Sequence, residues 1–263
     1  MQILKLSKFV AFSLTITGIF AGSCETFNFR ADGGRALCSR DAAYKWDGKS
    51  TSVTKEYDDH VDAKNTCDHV LQLNIAIQVI KSRFCPSLDD SRLSNEEKTS
   101  SLEKLKNIIN KGESPSERNT FFVTEDVDAL KGRAVEIWNE KNQFLPKMYL
   151  VSEKINKSPY SPQKLIATGD YLSKTGANSV EVAIRLDTAM KKEAAKSRSS
   201  EQKKRGFTLK TKDKLGKDIR STEDTWRAFL KWYEEVVTEA EKEMNTAAQA
   251  SNSRSKDSGS GKS

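Results

Sequence analysis

Four cysteines, Cys24, Cys38, Cys67 and Cys85, and two histidines, His60 and His69, are the residues of this chain best suited to nucleophilic, acid–base or metal chemistry. Three of them crowd one stretch. Cys67-Asp68-His69 opens an apolar run that closes at Cys85-Pro86. A nucleophilic Cys–His pair needs a free thiolate. A metal centre would draw on His60, Cys67, Asp68 and His69, with Asp58, Asp59 and Asp62 nearby. That spacing lacks the paired ligands of a structural zinc site, so no metal and no cofactor is expected. There is no Gly-x-Ser-x-Gly, no His-Glu-x-x-His and no glycine-rich phosphate loop. Acid–base hydrolysis built on scattered carboxylates is left, with His69 as the candidate catalytic residue of a hydrolase or nuclease-like toxin.

The compartment decides whether the thiols are free. Lys5 and Lys8 precede an apolar run at residues 9–20, and Ala21-Gly22-Ser23 supplies small residues for cleavage. Residues 1–23 therefore read as a secretory signal, too short to span a bilayer. Four cysteines in a secreted chain read as two disulfides. Ala21-Gly22-Ser23-Cys24 also resembles a bacterial lipoprotein box, so a surface lipoprotein anchored at Cys24 is an alternative. Asn156-Lys157-Ser158 is a glycosylation sequon, followed by Pro159.

The elements that must position these residues are mostly helical. Residues 26–30 alternate, and Asp32-Gly33-Gly34 is a turn signal, which together predict a short hairpin before Cys38. Trp46-Asp47-Gly48 predicts another turn. Residues 66–84 fit both a strand and a helix, and their uninterrupted length favours one buried helix, ended by Pro86 and carrying His69 in its first turn. A straight helix would hold Cys67 and Cys85 about 27 Å apart, beyond the reach of a disulfide. Two connectivities stay open: Cys24–Cys67 with Cys38–Cys85, or Cys24–Cys85 with Cys38–Cys67.

Further along, Ser94-Asn95-Glu96-Glu97 is a capping box ahead of Leu102, Leu105, Ile108 and Ile109. Thr124 caps another helix, with Val127, Leu130, Ala134 and Trp138 on one face. Ser161-Pro162 starts another, ending at Gly176, and Asn178 caps the next. Ser221 with Asp224 starts the last helix, whose apolar face runs from Trp226 to Ala240. Residues 246–263 are polar and predict a disordered tail. The fold expected is mainly α: one disulfide-stapled helical domain over 24–245, with a small N-terminal β element.

Charge adds one functional signal. The formal net charge is +7, and residues 191–220 hold twelve Lys/Arg against four Asp/Glu. The basicity is a segment, not a property of the whole surface. Lys191-Lys192, a ten-residue spacer and Lys203-Lys204-Arg205 match a bipartite nuclear-import pattern, which implies an import receptor as partner. The bland reading is a solvated linker. A nucleic-acid or phospholipid contact is the third, with only Phe207 available for stacking.

Cys67-Asp68-His69-Val70-Leu71-Gln72-Leu73 resembles a Cys-Asp-His-Val-x-Glu-Leu-Gln stretch of uncharacterised secreted proteins of filamentous fungi, found also in C-terminal extensions of some fungal chitinases. Gln72 stands where the acid usually is and Asn74 where the glutamine is, so no catalytic role of that acid carries over. Lys131-Gly132-Arg133 with Trp138-Asn139 is similar to the same group. The resemblance covers about residues 60–150 and brings no established activity. It implies a secreted effector or virulence-type protein acting on a host or competitor protein.

Overall fold

A computed structural model describes residues 24–30, 38–56, 65–91, 93–111, 119–140, 160–196, 207–212 and 218–257. The elements in chain order are β1 (Ser39–Lys45), β2 (Thr54–Glu56), β3 (Asn65–His69), α1 (Leu73–Val79), a π-helical turn (Ile80–Phe84), α2 (Cys85–Asp89), α3 (Asn95–Asn110), β4 (Thr120–Thr124), α4 (Glu125–Glu140), α5 (Pro162–Lys196) and α6 (Thr222–Asp257). The chain is mainly helical, with a small sheet and two disulfides.

The sheet has the order β2-β1-β4-β3. The hairpin β1–β2 turns at Trp46-Asp47-Gly48, as its residues predict. Gly48 takes a left-handed φ of 82°, and the Asp47 carboxylate accepts from the backbone N–H of Lys49 at 2.8 Å and Ser50 at 2.7 Å. These backbone donors hold the Asp47 carboxyl below its usual range. Residues 26–30 form no strand, contrary to the expected hairpin. Phe29 is buried in the helical core and packs edge-on against Phe27 instead. The signal at residues 32–34 lies outside the described residues.

β4 is the strand that sequence reading missed. It pairs parallel with β1 and antiparallel with β3, Cys67 facing Phe122. Its side chains alternate between faces. Phe121 and Val123 join Tyr44, Val53, Val70, Val127, Ala167 and Tyr171 on one face. Phe122 meets Cys38, Ala43 and Cys67 on the other.

The single helix expected over 66–84 is two structures. Residues 65–69 form β3, and the helix begins only at Leu73. Strand alternation wins at the start because Cys67 must face Cys38 while Asp68 turns inward. Pro86 does not end the helix. The π turn widens first, with the N–H of Cys85 reaching back to the carbonyl of Ile80. Pro86 then sits in the first turn of α2, where a missing N–H costs least.

The bridges are Cys24–Cys85 and Cys38–Cys67, with Cα separations of 5.5 Å and 5.6 Å. Each closes a loop worth about 3–4 kcal/mol in chain entropy. The sulfur of Cys24 stands in a buried bridge to Cys85, a use that excludes the thioether of a lipid anchor on the same atom.

Three capping signals read as expected, whereas Asn178 lies inside an unbroken helix and Thr124 ends β4 with its Oγ1 accepting from Trp46 N. Ser94 and Glu97 form the reciprocal capping box of α3. Ser161 Oγ accepts from Lys164 N at 3.2 Å at the start of α5. Ser221 Oγ accepts from Asp224 N at 3.0 Å at the start of α6. The expected break at Gly176 is absent, since α5 runs unbroken from Pro162 to Lys196. Its inner face buries Leu172, Ser179, Val182, Leu186 and Met190, and this outweighs a glycine cost of about 1 kcal/mol. Ser179 further accepts from Trp226 Nε1 of α6 at 2.8 Å. In the stretch expected to be tail, α6 continues to Asp257, exposed over residues 245–251, and residues 258–263 lie outside the described set.

Two glycines on α5 test this packing. At Gly169 an added methyl would overlap Val237 Cγ2 of α6, whereas at Gly176 it would meet nothing within 4 Å. Gly169→Ala should lower stability by about 1–3 kcal/mol through overpacking. Gly176→Ala should raise it by up to about 1 kcal/mol. Urea denaturation of the two variants checks the opposite signs.

Candidate functional site

Cys67-Asp68-His69, the sequence's densest chemistry, lies at the end of β3, and each side chain has a different fate. Cys67 is bridged to Cys38. Asp68 points inward and is almost fully buried. Its Oδ2 accepts from the Lys131 ammonium of α4, and from the Tyr171 hydroxyl of α5 at 2.8 Å. Lys131 is 0% exposed and also donates to the backbone carbonyl of His69. Its Nζ stands 5.8 Å from the centre of the Tyr171 ring. A buried lysine and aspartate are tolerable only when paired and hydrogen-bonded, and here both are.

His69 is at the strand end, not in the first turn of a helix. Its Nε2 lies 3.0 Å from Asn110 Oδ1. Asn110 Nδ2 donates to the carbonyls of Phe29 at 2.9 Å and Lys106 at 2.7 Å. That fixes Oδ1 as the acceptor and His69 as the Nε2–H donor. Burial holds the imidazole below its usual pKa, so the ring is neutral at pH 7. His69 therefore links β3 through Asn110 of α3 to the N-terminal segment at Phe29.

The residues that follow are held by Asn119. Its Oδ1 accepts from Leu71 N at 2.7 Å, and its Nδ2 donates to the carbonyls of Leu71 at 3.1 Å and Ile109 at 2.9 Å. Its own carbonyl accepts from Val70 N at 2.7 Å. This clamp turns the chain from β3 into α1.

Asp128, one turn before Lys131 on α4, completes the cluster. Burial first, then the charge of Asp68 and a hydrogen bond to it, push its pKa up to about 7, while Lys131 opposes the rise. Asp128 is thus a carboxylic acid donating to Asp68 below neutrality. Tyr171 is driven well above the usual phenol range by burial and by Asp68, and stays protonated. Chemically the arrangement is a carboxyl pair sharing a proton, its single negative charge neutralised by one ammonium and hydrogen-bonded by one neutral phenol. Sequence reading found Asp68 and missed its partners. The signal was present: Lys131 interrupts an apolar stripe of Val127, Ala134 and Trp138 at helical spacing.

The remaining expected site residues separate. Lys191 and Lys192 are exposed near the end of α5. Lys203, Lys204, Arg205, His60 and Asn156 lie outside the described residues. The far part of the basic segment is anchored. Phe207 is buried against Phe84, ring centres 5.3 Å apart. The Lys210 N–H donates to the carbonyl of Arg83 at 3.0 Å. Ser87 Oγ donates to the Thr208 carbonyl at 2.5 Å. Phe207 is therefore a core residue and is not presented for base stacking. Among the described residues no group of His, Cys, Asp and Glu could hold a metal ion, and no helix is long and apolar enough to cross a membrane.

No family model, curated protein or solved structure matches this chain.

The carboxyl pair makes stability pH-dependent. Asp128 titrates near 3.8 in the unfolded chain and about 7 in the fold, so the folded state binds the extra proton between these values. Its contribution is full below pH 4 and is lost as pH rises to 7, on the order of 2–3 kcal/mol after allowance for its partial exposure. Neutral His69 acts oppositely, its contribution present above pH 6.5 and lost on acidification. The measurement is therefore the difference between the parent and Asp128→Asn in urea at pH 5 and pH 8. The parent should lose stability relative to the variant as pH rises. A second variant, Lys131→Met, strands the Asp68 charge and should cost about 3–5 kcal/mol at pH 8, read from the same denaturation curves.

Proposed function

We propose that this chain is a secreted, non-enzymatic interaction protein of effector type, carried by its basic segment into a host cell and its nucleus. One observation carries the non-enzymatic part. The residues best suited to chemistry are engaged in holding β3 to its neighbours: all four cysteines are bridged, His69 donates to Asn110, and Asp68, Lys131 and Tyr171 bind one another. Two disulfides fit a protein that matures in an oxidising compartment. Kinship with uncharacterised secreted fungal proteins is part of the same proposal, and the two stretches on which that resemblance rests are neighbours in the fold. The stretches at Cys67–Asp68–His69 and Lys131–Gly132–Arg133, more than 60 residues apart, meet in the Asp68–Lys131 ion pair.

A second reading, a hydrolase or nuclease-like toxin, has one observation in its favour. Asp128 stays protonated to about pH 7 beside another carboxyl, which is how general acids are prepared. On this reading, His69→Ala and Asp128→Asn abolish turnover of a polysaccharide or RNA probe while the far-ultraviolet circular dichroism is kept.

The effector reading is tested by following the tagged mature chain during contact with host cells. Nuclear accumulation is expected, and its loss on joint Lys203→Ala and Lys204→Ala substitution. Retention wholly outside the host cell overturns import.

A further inference from the structure

A groove beside the α5–α6 crossing is used by none of the contacts above. It encloses about 610 Å³ between α5, α6 and the β1–β2 turn at Thr51, a size typical of binding clefts. Two glycines seven residues apart on α5 shape it. At Gly169 the helices touch, with Val237 filling the place of a side chain. At Gly176, about two turns on along the same face, nothing fills that place, and the groove lies open. Ile166, Leu172 and Tyr233 form an apolar floor.

The rim is acidic. Glu234 and Glu241 of α6 are exposed and line the groove, about 10 Å apart along one helix face. Asp170 is also present but is occupied by Val53 N at 2.8 Å and Lys174 Nζ at 2.6 Å. No lysine or arginine is among the described lining residues, in a chain of net charge +7. An apolar floor with a rim of one sign selects an occupant of the opposite pattern.

We propose that this groove docks a partner peptide segment that places an aliphatic or aromatic side chain in the hollow at Gly176, flanked by lysine or arginine beside Glu234 and Glu241. The anchor side chain supplies the affinity, and the exposed rim charges select and steer. This rests on the reading of the chain as an interaction protein and names the chemistry of its partner.

The test uses the mature chain and a fluorescent synthetic peptide of leucine and lysine at helical spacing, with a counterpart carrying glutamate for lysine. Fluorescence anisotropy should show the lysine peptide binding at least about tenfold tighter than the glutamate peptide, a preference that weakens with salt. Gly176→Leu, which fills open space, should cut binding at least about tenfold without lowering the melting temperature. Joint Glu234→Lys and Glu241→Lys substitution, at exposed positions, should reverse the preference. Equal binding of both peptides, or binding indifferent to Gly176→Leu and to the charge reversal, overturns the proposal. Self-association in sedimentation that Gly176→Leu abolishes would give the groove to a second copy and overturn it too. Failure here leaves the host-localisation result untouched, so the groove and the effector reading fail separately.

Discussion

The ion pair between Asp68 and Lys131 is the constraint around which the rest of the fold is arranged. Two charges removed from water cost several kcal/mol each unless every donor and acceptor finds a partner. Here the partners come from three elements. β3 supplies Asp68 and the carbonyl of His69, α4 supplies Lys131 and Asp128, and α5 supplies Tyr171. None of these can shift its register without stranding a charge, so the pair fixes how the sheet meets the helices. A wholly apolar contact of the same size would bind as well but would tolerate sliding.

A similar device joins the helices to one another. Asp187 of α5 accepts from the backbone N–H groups of Thr222 and Glu223, both at 3.0 Å, at the start of α6. A carboxylate there satisfies orphan donors and complements the helix dipole. Arg83 of the π turn lies 3.7 Å from the same carboxylate. One buried acid thus ties α5, α6 and the π turn, which in turn holds the Lys210 backbone at both its N–H and its carbonyl.

The sequence was most legible where the physics is local. The Ser94–Glu97 box, Ser161-Pro162, Ser221 with Asp224 and the Asp47-Gly48 turn each involve residues within three or four positions, and the structure uses all of them. Reading failed where distant partners decide. Residues 65–69 suit a helix as well as a strand until β4 lies alongside, and β4 is itself only five residues, Thr120–Thr124. Gly176 reads as a stop until α3 and α6 cover the helix on either side of it. The disulfide arithmetic left Cys67–Cys85 out on the premise of one straight helix that the fold does not form, and it could not choose between the two remaining pairings, because that choice depends on β1 running beside β4. Of the site, Asp68 and His69 were visible as unusual residues in an apolar run. Their structural role was not, because Lys131, Asn110 and Asn119 reach them only through the tertiary fold.

The two bridges are unevenly distributed. Both tie early segments, Cys24 to α2 and Cys38 to β3, and neither touches α4, α5 or α6. The long helical pair is held by side-chain packing, with Trp226, Phe229 and Tyr233 of α6 buried in the core, and by the hydrogen bonds of Asp187 and Ser179 across it. A compartment rich in thiols would therefore act on the early part of the chain. It would loosen the N-terminal segment and the start of β1, and leave the cohesion between α5 and α6 to contacts that no reductant can cleave.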